Sequence, residues 1–357
     1  MKRAAALADR AATLSLGLIG AFNLLFIVAV LVALLSAAPR ANAQEAVACT
    51  GEDMLAQMER DDPALLAQIR AEAAEIENGG ALLWRIERAG VAPSFLFGTM
   101  HVSDPRVVRL AGAAQAAFDA ADTVVIETTD VLDQSIVMRE FASRADLMMF
   151  PEGESLTDHL ADAQQEELSS WLQERGVPFQ SIIKMKPWMI LFMASQPSCE
   201  VSRQAKGAKI LDIVLADRAK AAGKNIAGLE TLAEQFEALN AFSTDVQLRA
   251  LLSTAALGDK MDDIMETLTR LYVAGETGMF TPAVQQLVPH DPVELDDFTR
   301  FEERVVVMRN HVMAARAADY LNEGNAFIAV GALHLPGQEG VIELLREAGW
   351  NVDRADE

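Results

Sequence analysis

The chain has 357 residues, with 30 Lys and Arg against 52 Asp and Glu, and a formal charge of −22. So acidic a chain argues against nucleic acid as a partner, its 51% hydrophobic content excludes a disordered polypeptide, and two cysteines are too few for a disulfide scaffold or a Cys-rich zinc module. The mean hydropathy of +0.15 is high for this charge density and points to one concentrated apolar segment.

That segment is at the start. Lys2, Arg3 and Arg10 precede an uncharged stretch over residues 11–39, followed by Arg40-Ala41-Asn42-Ala43. A basic start, an apolar middle and an A-x-A end are the three parts of a secretory signal. Residues 1–43 are therefore expected to be a cleaved signal peptide. The stretch is also long enough to span a bilayer, so an N-terminal membrane anchor is the alternative. Either way the rest of the chain is expected to be exported: periplasmic or secreted, or tethered to the inner membrane. Membrane contact would come only through residues 11–39. In an oxidising compartment Cys49 and Cys199 are expected to pair.

Residues 44–80 read as a helical arm, with Pro63 opening a second helical piece and Asn78-Gly79-Gly80 ending it. Residues 81–357 read as one α/β domain. Leu82–Arg88 and Ser94–Gly98 look like a β-hairpin, and residues 106–121 like a helix. Thr123–Glu127 is a short apolar run of buried-strand type. A large helical region follows over about 131–222, then a strand at Asn225–Glu230, more helix over 231–321, and a strongly apolar strand at Ala326–Gly331. A helix at 338–348 and a strand at 350–354 close the chain. This last strand–helix–strand unit suggests parallel pairing by a right-handed crossover. The expected class is α/β: a central mixed sheet with a large helical insertion between its strands.

Four strands exit into polar groups: Gly98-Thr99-Met100-His101, Glu127-Thr128, Glu230-Thr231 and Gly331-Ala332-Leu333-His334. If these strands are parallel, all four groups share one carboxyl edge, where open α/β sheets place ligands. Two of the exits have the form G-x-x-H. Glycine permits a sharp turn and close approach, and the His then projects from a fixed strand end. Two His and a carboxylate form a common ligand set for a divalent transition metal. His101 and His334 are the candidate metal ligands, and Glu127 or Glu230 the oxygen ligand, with the other available as general base. Glu230 has a plainer reading as an acid near a helix start. His159, His290 and His311 lack strand-end placement and read as surface or structural groups.

The segments Phe95–His101, Asp119–Glu127, Lys186-Pro187-Trp188, Gly207–Asp212, Gly223–Thr231 and Ala329–Gly337 together resemble the TraB/GumN family, to which the Tiki metalloproteases of animals belong. The resemblance runs from about Leu82 to the C-terminus. It implies a metal-dependent protease site, with Gly98–His101 and Gly331–His334 as the paired motifs and Glu127 as the acidic residue. Manganese or cobalt would be the expected ions, with zinc open. It also implies roles for Arg309 and Asn310 on a late helix, Asn310 as a further metal ligand and Arg309 in catalysis. Arg309 could bind a substrate carbonyl or an oxyanion, or pair with Glu127 or Glu230 as a structural bridge. Three functions compete. They are a metal-dependent peptidase acting on peptides or proteins at the cell envelope, a hydrolase of another bond on the same site, and a non-catalytic accessory protein of polysaccharide or pheromone handling.

Overall fold

The computed structural model describes residues 49–110, 112–288 and 292–355. The signal or anchor segment and His290 lie outside them. Among the described residues no helix is long and apolar enough to cross a membrane. The chain divides into two compact units. One comprises residues 48–200 and 209–357 and contains the whole sheet; the other comprises residues 1–47 and 201–208. Of the latter only 201–208 is described: the end of the helix Ser198–Ala205 and a turn at Gly207, φ 91°.

Six strands form one mixed sheet: β1 (Leu83–Glu87), β2 (Ser94–Thr99), β3 (Thr123–Ile126), β4 (Asn225–Gly228), β5 (Ala326–Gly331) and β6 (Asn351–Arg354). Their spatial order is β4-β3-β5-β2-β1-β6. β4, β3, β5 and β2 are mutually parallel, while β1 runs antiparallel to both β2 and β6. The expected hairpin is β1–β2, with Leu83 opposite Phe97. The expected pairing of the last two strands does not occur. β5 already has β3 and β2 as its two neighbours, so the helix Val341–Glu347 carries the chain past them to the free side of β1.

The strands alternate in the way a sheet buried on both faces requires. Phe97, Val124, Ile126, Phe327 and Ala329 join one core. Leu96, Val125, Ile328 and Val330 join the other. The first core is completed by Phe118, whose ring meets Phe327 edge-on at 5.5 Å, and by Leu211 and Leu215. Leu55, Leu66 and Ile69 of the helices Met54–Asp61 and Pro63–Ala74 also join it, so the expected arm is packed into this core. The second core is covered by Met313, Ala317 and Leu321 of the helix Met308–Glu323, and by Ile342 and Leu345. The helix expected over 106–121 is shorter, Gly112–Ala120. Two smaller apolar clusters hold the helical insertion together, one around Trp171 and Leu251, the other around Trp188 and Phe236. A disulfide joins Cys49 to Cys199, tying the first described residue to the start of the helix Ser198–Ala205.

Candidate metal centre

Because β2, β3, β4 and β5 are parallel, their carboxyl ends lie at one edge of the sheet. His101 follows β2, Glu127 follows β3, Glu230 follows β4 and His334 follows β5. Strand interiors are committed to the two cores, so the exits are the positions free for chemistry.

The two motif glycines serve different ends, and neither has a positive φ. A Cβ on Gly98 would lie 2.7 Å from Leu335 Cδ1 and 3.2 Å from Ala332 Cα. Gly98 therefore lets the turns after β2 and β5 pack against each other. A Cβ on Gly331 would lie 3.0 Å from Glu127 Oε1, 3.3 Å from His334 Cδ2 and 3.7 Å from His101 Nε2. Gly331 thus keeps open the space between the three candidate ligands. Close approach, not a turn conformation, is the reason for glycine at both positions.

His101 Nδ1 lies 2.9 Å from Asp212 Oδ2, and Thr99 Oγ1 donates to Asp212 Oδ1 at 2.9 Å. Asp212 stands in the first turn of the helix Leu211–Ala221. His334 Nδ1 lies 2.6 Å from Asn310 Oδ1, and Asn310 Nδ2 donates to the Glu339 carbonyl at 2.8 Å. That second bond fixes which way the amide faces, so its oxygen is the atom presented to His334. Both imidazoles are thereby held through an Nδ1–H and turn Nε2 towards the site, where His334 offers it as an acceptor and His101 does so once its ring gives up its second proton. Both Nε2 atoms face the same oxygen, Glu127 Oε1, at 3.9 Å from His101 and 3.8 Å from His334.

Glu127 is held from three sides. The Gly331 N–H donates to Oε1 at 2.6 Å. Arg309 Nη2 and Gln235 Nε2 donate to Oε2 at 2.7 and 3.2 Å. Arg309 also donates to both oxygens of Glu230 and to the Val305 carbonyl. Of the two readings of Arg309, the structure shows the bridge, and it spans both acids. Glu230 leaves the start of the following helix to others: Thr231 caps Leu232–Asn240 and Glu234 closes the box. A π-helical turn, Glu303–Val307, immediately precedes Arg309 and Asn310. Such turns shift the helical register and occur often at functional sites.

The electrostatics are uneven. The Asp212 carboxylate draws the His101 imidazole up to about 9, against partial desolvation. Burial pushes His334 down to about 4, outweighing the attraction of Glu127. Burial opposes ionisation of Glu127, but the charges on His334, His101 and Arg309 and the Gly331 N–H prevail and bring it down to about 2. Two carboxylates, Glu127 and Glu230, share the Arg309 guanidinium, a third, Asp212, faces the His101 imidazole, and all three are nearly buried. An excess of buried negative charge is costly unless a cation compensates it. The donor set therefore fits a divalent ion. Nitrogen and oxygen donors converge, and each imidazole is oriented from behind by a polar partner, as metal-ligating histidines are. Among the described residues, however, no group of three or more His, Cys, Asp and Glu side chains forms a closed metal cluster.

The structure gathers His101, Glu127, Glu230, Arg309, Asn310 and His334 in one place. Asn310 reaches it through His334. His159 stacks on Phe150 at 5.1 Å and bonds Glu154, and His311 bonds Glu339; neither belongs to the site. Sequence reasoning gave Asp212, Thr99 and Gln235 no role. Asp212 does lie within a segment that carries the family resemblance, but one acid in the first turn of a helix has no distinctive pattern. Tyr272, from the helix Lys260–Val273, also supports the site by donating to the Gly98 carbonyl at 2.8 Å.

The family model of the TraB/PrgY/gumN family matches residues 82–354. Similar proteins include metalloprotease TIKI2 of Xenopus tropicalis, 26% identical with 78% of this chain and 60% of the relative covered. Metalloprotease TIKI2 of Danio rerio is 25% identical, with 76% and 60% covered. Metalloprotease TIKI1 of Homo sapiens is 24% identical, with 77% and 62% covered. The chain spans about 60% of the length of these relatives. No solved structure matches. The paired G-x-x-H strand ends and the match over nearly the whole sheet lead to one conclusion: the chain belongs to the TraB/PrgY/gumN family.

Proposed function

We propose that the chain is an exported metal-dependent peptidase acting at the cell envelope. The observation that carries this reading is the convergence of His101 Nε2 and His334 Nε2 on Glu127 Oε1, with both Nδ1 atoms tied back by Asp212 and Asn310. The names of the relatives support a metalloprotease and a protein substrate. The N-terminal sequence and the disulfide support export.

His101, His334 and Glu127 would hold the ion, which is manganese, cobalt or zinc. When bound it supplies Lewis acidity towards a carbonyl and towards water. The protein's own groups do the rest. Arg309 and Gln235 occupy Glu127 Oε2 and so turn Oε1 towards the histidines. Glu230 anchors the guanidinium from the other side. Asp212 and Asn310 keep each imidazole in the tautomer that leaves Nε2 free. His334 and Glu127 are nearly buried, whereas the His101 side chain is 55% exposed, so substrate enters on the His101 side.

The test is metal analysis of the purified exported chain and of His334→Ala, together with peptide cleavage under added Mn²⁺, Co²⁺ or Zn²⁺. The expected result is about one divalent ion per chain and metal-dependent cleavage, both lost in the variant. A metal-free wild type, or cleavage untouched by His334→Ala and His101→Ala, overturns the proposal. Partner binding that survives loss of the histidine pair, without turnover, would favour an accessory protein.

A further inference from the structure

His101 is aimed by its backbone as well as by Asp212. It is the central residue of a three-residue turn, closed by the Val102 N–H on the Met100 carbonyl at 2.8 Å. The chain entering this turn is fixed at Gly98, whose carbonyl accepts from Tyr272 and whose N–H donates to the Leu82 carbonyl. The chain leaving it is fixed at Ser103, whose N–H donates to Glu200 Oε1 at 2.7 Å. Ser103 Oγ is buried and makes no hydrogen bond among the described residues, so the side chain adds none to that hold. Glu200 is 1% exposed. A carboxylate is costly to bury unless it is engaged, and a backbone N–H on a carboxylate is a strong tie.

Glu200 directly follows Cys199, which the disulfide joins to Cys49. The segment after Cys49 is clamped on the helix Lys260–Val273. The Glu52 N–H donates to Asp263 Oδ1 at 2.7 Å, and the Met54 N–H to Thr267 Oγ1 at 2.9 Å. A Cβ on Gly51 would strike the Asp262 carbonyl, so the contact there is close. The same helix also grips the His101 loop. Tyr272 holds Gly98, and Glu266 accepts from the Arg106 guanidinium at 2.7 and 2.9 Å. The disulfide therefore fastens Glu200 to the helix that carries the other holds on this loop.

We propose that Glu200 is a positioning residue for His101 and that the Cys49–Cys199 bond keeps it in place, so that metal binds at full affinity only once that bond has formed. This inference rests on the metal reading of the site. The bond forms by exchange with a disulfide donor. The two thiols give up two protons and two electrons, and the donor is reduced to two thiols. A chain still in a reducing compartment would therefore hold metal weakly.

The test uses the full chain and two readouts: Mn²⁺ titration, and amide exchange of residues 101–108 in the metal-free state, followed by mass spectrometry. Glu200→Ala is expected to weaken Mn²⁺ binding by about tenfold and to speed exchange over 101–108 but not over β4. Glu200→Gln, which keeps an oxygen acceptor, should recover most of both. In a His101→Ala background, Glu200→Ala should weaken binding no further. Cys49→Ser and Cys199→Ser should reproduce both effects with Glu200 intact, and they decide the matter if Glu200→Ala does not fold. Exchange over 101–108 unchanged in Glu200→Ala or in both Ser variants overturns the proposal. So does a loss of affinity that is the same with and without His101. A wild type that binds no Mn²⁺ overturns the manganese reading instead, while exchange still decides whether Glu200 holds the loop.

Discussion

The two G-x-x-H exits are alike in sequence and opposite in surroundings. His101 is half-exposed, backed by a carboxylate and drawn up to about 9. His334 is buried, backed by a neutral amide and pushed down to about 4. One exit lies between β5 and the hairpin partner β1; the other ends the most enclosed strand of the sheet. The lesson is that spacing sets where an imidazole starts, while the neighbouring helices decide what it can do. A charged partner would make His101 a stronger donor to a metal ion and a more reluctant one, because a proton would compete for the same Nε2. A neutral partner in a buried place keeps His334 deprotonated over the whole neutral range.

The comparison is broken most severely by removing the rings. His334→Ala is expected to abolish retention of metal through dialysis. His101→Ala, on the solvent side, should leave weak binding that excess metal restores; equal loss in both, read by elemental analysis, would erase the distinction. Next come the partners. Asp212→Ala should weaken metal affinity by about 10–100-fold. Asn310→Ala should act more on the fold, by about 1–3 kcal/mol, because it orphans the buried His334 Nδ1–H. Metal titration and denaturant unfolding should therefore rank the two variants in opposite order. The glycines sharpen the contrast further. Gly331→Ala fills the space between the ligands and should lower metal affinity by about tenfold at near-normal Tm, in the range of an outer-shell change. Gly98→Ala presses on Leu335 and Ala332 and should cost about 1–3 kcal/mol of stability with metal affinity nearly kept.

The smallest effect belongs to a carboxylate that neither half uses. Glu234 is held down to about 2, first by Arg316 and then by Thr231, against an ordinary 4.5. Its folded value lies below its unfolded one. The stability it adds is therefore complete above about pH 4.5 and is lost as the pH falls through about 2. Glu234→Gln should cost no more than about 1 kcal/mol at neutral pH. Its Tm should converge on that of the wild type in acid. A gap that persists at pH 2 would show that capping geometry, not charge, is responsible.

Much of this fold was legible because its signals are local. Short apolar runs gave β1 to β5, the closing strand followed from its place after the last helix, and the polar groups at the strand exits gave the site edge. The order of the strands was not legible. Which neighbours β5 takes is decided by packing across residues far apart in sequence, so the pairing expected of β5 with β6 failed. The same limit applied to the site. His101, Glu127 and His334 announce themselves at strand ends. Asp212 and Gln235 sit on helices, where an acid or an amide is commonplace, and only the folded chain brings them to His101 and Glu127. Arg309 shows the middle case: its candidate partners were named, but only geometry shows that it serves both acids at once.

β5 lies between β3 and β2, yet it is the last strand but one to be synthesised. The bond from the Gly331 N–H to Glu127 joins residues 204 positions apart, and Phe95 of β2 pairs with Phe327 of β5. Until β5 inserts, β2 and β3 have no shared strand between them, and Glu127 lacks the Gly331 N–H that fixes its Oε1. Such long-range parallel pairing is slow to form. The candidate centre is therefore completed late in folding, and a nascent or prematurely ended chain carries its first histidine and its carboxylate without the second histidine.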